Sequence, residues 1–199
     1  MNGFAGFDWA VAIQSRVNEV LDGKVRLWSP TYSGDQGVAV WTSWWDDLTS
    51  LNEATNRLAK DAKYLELASQ GTQHIVGRVT DQLSQVVSGD QSGSQDATWV
   101  SVVSAVCATE HLAAGMTGGI EIAQKVEKVI GRPTLFMSGV TGSYGGVAWI
   151  TGYESIASFE SATTKINSDI DFVTFLDTAT GAYVENPAFT RSILYRLIG

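Results

Sequence analysis

The 199-residue sequence predicts an α+β fold in which one βαββαβ unit occurs twice along the chain. The first observation is internal similarity, because GVAVWTSWWDDLTSLNEATNRL at 37–58 matches GGVAWITGYESIASFESATTKI at 145–166. The second is a helical spacing of apolar residues ahead of each segment. The third is a pair of β-rich runs, broken by a glycine-rich turn, in each copy. Together these patterns predict helices combined with hairpins.

The two similar segments belong to a longer internal duplication. Residues 13–42 match residues 122–151 at an offset of 109 residues without a gap. After one deletion, the match continues at an offset of 108 residues as far as Val76 and Val184. We therefore predict that both halves of the chain form the same structure.

A polar segment separates the two copies. Its sequence, SGDQSGSQD, is rich in Gly and Ser, as a surface linker should be. We predict a first repeat at 1–89, a linker at 90–96 and a second repeat at 97–199. A chain of this length, with 44% hydrophobic content, can form one large core or two domains of about 100 residues each.

Each copy contains an amphipathic helix ahead of its hairpin. In the first copy, apolar residues stand at positions 13, 17, 20 and 21, which is the i, i+4, i+7, i+8 spacing of one helix face. The aligned residues of the second copy repeat this spacing. The pattern predicts helices at about 9–22 and 118–131.

A hairpin follows each of these helices. In the first copy KVRLWSPTY and GVAVWTSW flank the turn SGDQ, and in the second copy TLFMSGV and GVAWITGY flank TGSYG. We expect a second helix after each hairpin. Its start carries residues that suit unpaired backbone amides and the helix dipole, namely Asp46, Asp47, Glu154 and Ser155.

Each copy is expected to end in a helical turn and a closing strand. The helical turns end near Gly71 and Gly181, where the sequence changes from a helical to a strand pattern. The closing strands are predicted near 79–88 and 190–198. These elements complete the predicted order in each copy, apart from an opening strand.

The second copy alone carries an opening strand. TWVSVVSAVCATE precedes its first helix and gives the βαββαβ order of a ferredoxin-like half. In the first copy, Met1 to Asp8 align only with the loop after that strand, so the first repeat lacks it. The missing strand would leave a gap in the sheet, a rearranged strand pairing or an edge that can pair with another chain. A natural gene that begins further upstream would explain why the strand is missing.

The missing strand has a consequence for assembly. We expect three long strands in the first sheet and four in the second. Phe4 and Phe7, or a neighbouring chain, would cover the exposed region. Self-association through the strand-deficient first repeat is therefore possible in principle.

GVTGSYGGVAWITGYESIASFESATTKINSDIDFVTFLDT resembles the dimeric α+β barrel superfamily, which contains antibiotic-biosynthesis-type monooxygenases. The resemblance covers most of 97–199, with a degenerate version over 9–89. It implies that the two repeats form an intrachain pseudo-dimeric α+β barrel. Its features are a Gly-rich hairpin, an Asp-led short helix and a helix start formed by Ser155, Ile156, Ala157, Phe159 and Glu160.

Charge and composition exclude several classes of partner. With 13 basic and 21 acidic residues and a net charge of −8, the chain has no basic cluster for nucleic acid or anionic lipid. Cys107 is the single cysteine, so no intrachain disulfide is possible. No apolar run approaches the roughly 20 residues of a membrane span. We expect a cytoplasmic protein that binds neither nucleic acid nor membranes.

His111 is the candidate catalytic residue. It follows the long strand of the second copy, at a loop where such barrels often open, and a loop histidine can act as a general base. A surface histidine without a role is the alternative. Glu110 is expected to point away from His111, since neighbours on an extended strand face opposite sides. His74, before a closing strand, is a weaker candidate.

Four strand aromatics are candidates for a ligand pocket: Trp28, Trp41, Trp149 and Tyr153. Pockets are mostly apolar with a few polar groups, and these residues would suit such a lining. Core packing is the competing interpretation. No Cys, His or carboxylate spacing indicates a metal or haem site, and no cofactor is expected.

Three functions are compatible with these residues. The chain could bind a small apolar molecule or a protein partner without catalysis, or it could be a cofactor-independent, monooxygenase-like enzyme acting on a small organic substrate. A structural or assembly role is the third. A cavity reached by His111 would favour the enzyme, and a cavity without convergent polar groups would favour the binding protein. The absence of a cavity would favour the assembly role.

Overall fold

The computed structural model describes residues 3–35, 37–91, 96–186 and 188–199, with side chains from Gly6 onward. The helices are α1 (Gly3–Leu21), α2 (Leu48–Leu58), α3 (Ala62–Ser69), α4 (Leu112–Ile130), α5 (Ile156–Ser168) and α6 (Ile170–Ala179). The strands are β1 (Val25–Thr31), β2 (Val40–Ser43), β3 (Ser84–Ser88), β4 (Trp99–Val106), β5 (Thr134–Gly139), β6 (Gly146–Tyr153) and β7 (Arg191–Leu197).

The strand pairs β1–β2, β3–β5, β4–β6 and β5–β6 are antiparallel. The predicted α+β class is therefore confirmed. The chain forms two compact units, one of residues 1–80 together with 196–199 and the other of residues 81–195. Strand β7 begins in the second unit and ends in the first.

In the first unit, α1 packs on the β1–β2 hairpin through its apolar stripe. Ile13, Val17 and Leu21 lie four residues apart on α1 and share a buried cluster with Val25 and Ala54. This is the helix face that the sequence spacing predicts. The last residues of the chain continue the sheet, because the amide of Leu27 donates to Gly199 O at 3.2 Å and the amide of Ile198 donates to Leu27 O at 2.9 Å.

Side chains of α1 also hold the first residue of β1 in place. Asn18 Nδ2 donates to Val25 O at 2.8 Å, and the Val25 amide donates to Asn18 Oδ1 at 2.8 Å. Gln14 Nε2 donates to the same Val25 carbonyl at 3.1 Å. These bonds satisfy the backbone at the tight connection after α1 and set where β1 begins.

In the second unit, the strands lie in the order β7-β4-β6-β5-β3. The β4–β6 register runs from Trp99 opposite Tyr153 to Val106 opposite Gly146. Along the chain from β4 to β7, the order of elements is β-α-β-β-α-α-β. The core under α4 consists of Ala105, Cys107, Ile122, Ala123, Phe136, Val147, Trp149 and Tyr183.

The predicted helix starts were too late. Helices were expected at about 9 and 118, whereas α1 begins at Gly3 and α4 at Leu112. In α4, the sequence LAAGMTGG reads as a loop because glycine disfavours helices. Gly115 and Gly119 are nevertheless buried in the helix, where a side chain would overlap Cys107 and Phe136 respectively. Close packing therefore overrides the local propensity.

Two of the four predicted cap positions act as caps. The Asp47 side chain accepts from the Ser50 amide at 2.7 Å. Ser155 forms a capping box with Ser158. Short 3₁₀ turns at Gln70–Gln73 and Thr180–Ala182 include Gly71 and Gly181, the glycines at which the helical turns were predicted to end.

The closing strand of the first copy has an unexpected partner. It forms at Ser84–Ser88, inside the predicted 79–88, but it lies in the second unit and pairs with β5, with a register shift between Val86 and Ser88. The third long strand that was expected in the first sheet is therefore not part of the first unit. Pairing partners of strands depend on distant residues, which a local pattern does not specify.

Several predictions fall on residues outside the described part. These are the first two residues of the segment Met1 to Asp8, the side chain of Phe4, and residues 92–95 at the centre of the predicted linker 90–96. The repeats at 1–89 and 97–199 and the meeting of their apolar faces stay predictions. Among the described residues, no helix combines the length and apolar character that a membrane crossing needs.

Gly119→Ala should destabilise the protein by about 1–3 kcal/mol, because a methyl group there would overlap the fully buried ring of Phe136. Gly118→Ala is the matched control. Its new methyl would lie 3.7 Å from Ala179 O, an ordinary contact, so it should leave stability unchanged or raise it by up to about 1 kcal/mol. Urea denaturation measures both free energies, and equal values for the two variants would contradict the packing argument.

Candidate functional site

A cleft of about 470 Å³ lies in the second unit at the end of β4. Its walls come from the 3₁₀ turn Thr109–His111 before α4, the tip of the β5–β6 hairpin and the segment after Thr180–Ala182. The lining residues are Val106, Cys107, Ala108, Thr109, Glu110, His111, Tyr144, Gly181, Tyr183, Val184, Glu185 and Phe189.

Backbone hydrogen bonds hold these three segments together. The Cys107 amide donates to Gly145 O at 2.9 Å, which joins β4 to the hairpin tip. The Ala108 amide donates to Ala182 O at 2.9 Å, and the Val184 amide donates to Val106 O at 2.8 Å. The cleft is therefore framed by paired backbone rather than by side chains alone.

Tyr183 forms the buried wall of the cleft. It is 7% exposed, and its hydroxyl donates to Gly115 O of α4 at 2.6 Å. Its ring meets Trp149 edge-on, with 5.6 Å between centroids. Burial raises the pKa of Tyr183 well above its usual range, and the nearby Cys107 thiol raises it further.

Two aromatic rings of the lining are exposed to solvent. Tyr144, at the tip of the β5–β6 hairpin, is 74% exposed, and Phe189, ahead of β7, is 44% exposed. Large apolar side chains gain free energy when they are covered, at about 25 cal/mol for each Å² removed from water. Two such rings at one cleft therefore offer surface that a ligand can cover.

The polar end of the cleft combines a carboxylate and an imidazole from one turn. Glu110 and His111 both line the cleft because residues 109–111 form a 3₁₀ turn. The expectation that they would face opposite sides was wrong, since it assumed an extended strand. The Glu110 side chain accepts from its own backbone amide and from Thr109 Oγ1, and these bonds and the charge of His111 lower the pKa of Glu110.

His111 itself is exposed and begins α4 without using its side chain as a cap. The imidazole is thus not committed to capping the helix. Cys107 is different, because its thiol is buried against Gly115 and burial raises its pKa. Of the two, His111 is the group that can exchange a proton with a molecule in the cleft.

Trp149 and Tyr153, two of the predicted pocket aromatics, lie in the packed core. The Trp149 indole donates to Gly119 O of α4 at 2.8 Å, and its ring lies 5.4 Å from that of Phe136. Tyr153 is buried edge-on against Phe159, and burial raises its pKa. Neither residue lines the cleft.

The other two predicted aromatics belong to the first unit. The Trp28 indole donates to Thr42 Oγ1 at 2.9 Å, and the Trp41 indole donates to Ala10 O at 3.3 Å. Trp41 also meets Trp9 edge-on, and the ring of His74 stacks on Trp9 with 5.6 Å between centroids. These contacts are those of packed residues, so a ligand-binding role for the four aromatics stays a prediction.

His111 was predicted at the loop after the long strand, which is where the cleft lies, but most of the other lining residues were not predicted. Tyr183, Glu185 and Phe189 come from the last quarter of the chain, and no motif marks them. Only Tyr144 carried a signal, since a tyrosine within the glycine-rich turn TGSYG is placed in solvent. Within the described residues, no three His, Cys, Asp or Glu side chains are placed to share a metal ion.

The chain shares its fold with solved structures of low sequence identity. A "putative monooxygenase" from Fusobacterium nucleatum superposes with a TM-score of 0.67 and 10% identity, over 97% of this chain and 86% of that one. An "anthrone oxidase-like protein" gives 0.60 and 11%, over 96% and 85%. A "putative monooxygenase" from Lactobacillus acidophilus gives 0.59 and 6%, over 98% and 85%.

No family profile matches the sequence, and no curated protein sequence matches it. The structural likeness therefore shows a shared fold alone and carries no activity with it. What the cleft does has to be argued from its own side chains.

Tyr183→Phe should lower the free energy of unfolding by about 1 kcal/mol at pH 8, because it removes the hydroxyl bond to Gly115 O. The difference should shrink above pH 10. An unfolded tyrosine ionises near pH 10, whereas the buried Tyr183 stays neutral, so ionisation stabilises the unfolded state of the wild type and lowers its free energy of unfolding. A phenylalanine at this position cannot ionise, so the variant does not lose stability in this way. Urea denaturation at pH 8 and pH 10.5 tests this, and parallel losses in both proteins would refute it.

Proposed function

We propose that this protein binds a small organic molecule with an aromatic or otherwise apolar body in the cleft at the end of β4. The observation that supports this most directly is the exposure of Tyr144 and Phe189 at a cavity that also holds ionisable groups. Binding sites typically combine an apolar lining with a few polar groups that set orientation.

The size of the cleft fits such a ligand. Its volume of about 470 Å³ falls in the range of about 300–1,000 Å³ that is typical of small-molecule sites. Val106, Ala108 and Val184 add apolar surface near the buried ring of Tyr183. Glu110, His111 and Glu185 add ionisable groups to the same lining. A molecule with an apolar body and one polar group would match both parts.

A second candidate function is cofactor-independent monooxygenation. Two structural relatives bear the name monooxygenase, and the exposed imidazole of His111 lines the cleft. In such a reaction His111 would take a proton from an acidic C–H or O–H group of the substrate. The resulting anion is electron-rich enough to reduce dioxygen, with one oxygen atom entering the product and the other leaving as water.

The arrangement of the two repeats is part of the same proposal. The closing strand of the first copy, β3, pairs with β5, and the end of the second copy bonds to β1. The first copy thus contributes its last strand, and the second copy its last four residues, to the other compact unit, which supports the duplication predicted from the sequence. The pseudo-dimeric barrel formed by two ferredoxin-like repeats remains a proposal.

Tyr144→Ser should weaken the binding of a neutral aromatic probe such as 2-naphthol about five-fold, because one ring contact worth about 1 kcal/mol is lost. Tyr32→Ser is the matched control, since Tyr32 is also an exposed tyrosine, 88% accessible, and does not line the cleft. Titrations followed by backbone amide NMR signals give both dissociation constants. Shifts centred on residues that do not line the cleft, or equal weakening in both variants, would contradict the proposed site.

His111→Gln tests the second candidate with anthrone, the compound class in the name of one structural relative. Dioxygen consumption should fall by about 10² to 10⁴ if His111 is the base. The free energy of unfolding should change by no more than about 0.5 kcal/mol, as for an exposed residue. Unchanged consumption, or none with the parent protein, would remove the enzymatic candidate and leave the binding proposal untouched.

A further inference from the structure

We infer that the ligand of the β4 cleft is an organic cation, an amine with an aromatic or apolar body. The inference rests on the proposed binding function and adds the sign of the charge. Among the described residues that line the cleft, Glu110 and Glu185 carry carboxylates, His111 is the basic side chain, and no Lys or Arg side chain is present. A positively charged group is therefore the one that this lining attracts.

The two carboxylates come from different walls. Glu110 belongs to the turn before α4, and Glu185 follows Tyr183 in the segment that leads to β7. A cation held between these walls interacts with both charges, whereas an anion is repelled by both. The net charge of −8 for the whole chain adds to the same preference at long range.

The aromatic rings strengthen the preference for a cation. Tyr144 and Phe189 are exposed at the same cleft, and the face of an aromatic ring attracts an ammonium group within about 6 Å. The carboxylates attract the charge of an alkylammonium group, and the aromatic rings contact the apolar carbons beside its nitrogen. A neutral apolar ligand would use only the rings.

The start of α4 favours a negatively charged ligand instead, but the carboxylate of Glu110 lies beside it. The N-terminus of α4 opens onto the cleft, and the unpaired amides of a helix start attract anions. Glu110 lies at this helix start, and hydrogen bonds from its own amide and from Thr109 stabilise its charged form. The negative charge of Glu110 therefore opposes the positive end of the helix dipole, and Glu185 adds a second negative charge to the cleft.

Three probes with the same aromatic body test the inference: 2-naphthylmethylamine, 2-naphthylmethanol and 2-naphthoate. Their dissociation constants at pH 7 are measured from amide NMR shifts of the cleft residues. The amine should bind about five-fold tighter than the alcohol, and the carboxylate should bind weakest. Raising the salt concentration from 50 to 500 mM should reduce the advantage of the amine, because salt screens an exposed ion pair.

Glu185→Gln should remove most of the difference between amine and alcohol while the alcohol binds as before. Glu127→Gln is the matched control, because it removes one negative charge from an exposed residue of α4 outside the cleft lining. It should leave the advantage of the amine in place. If both variants lose the advantage equally, the preference comes from net charge and the inference is wrong.

The outcomes separate this inference from the function on which it rests. If the alcohol binds at the cleft and the amine binds no tighter, the charge inference fails and the binding proposal stands. If the carboxylate binds tightest, the helix start dominates and the inference is overturned. If none of the three probes shifts the cleft signals, the proposed binding function itself fails.

Discussion

The contact between α4 and the sheet of the second unit is the constraint on which its other features depend. Gly115 and Gly119 lie one turn apart on the same face of α4, and each lacks a side chain where Cys107 or Phe136 approaches. Their carbonyls accept hydrogen bonds from Tyr183 and Trp149 respectively. Two glycines thus let the helix backbone touch the sheet and let two buried aromatic residues satisfy their polar atoms.

This contact also determines where a ligand can bind in the second unit. Phe136, Trp149 and Tyr183 fill the space between α4 and the strands, so that region is a packed core. The cleft forms where the core ends, beyond the last residues of β4 and in front of the first turn of α4. Because α4 is held firmly at Gly115, the turn that carries Glu110 and His111 has a fixed support.

The fold of this chain and the side chains of its cleft indicate different things about its function. The likeness to proteins named monooxygenases covers nearly the whole chain but comes with 6–11% identity, so it describes the fold. The proposed affinity for an apolar body and, through Glu185, for positive charge rests on the side chains at the cleft. An imidazole at the same place could serve either binding or proton transfer, and only turnover measurements distinguish the two roles.

The sequence by itself determined the features that depend on near neighbours: the stripe of Ile13, Val17 and Leu21 on α1, the caps at Asp47 and Ser155, and the strand of each hairpin. It also placed His111 after a strand. Only the tertiary structure decided that β3 pairs with β5 and that Tyr183, Glu185 and Phe189 complete the cleft. Strand partners and cavity walls join residues far apart in the chain, and their free energy comes from packing and pairing that no local pattern encodes.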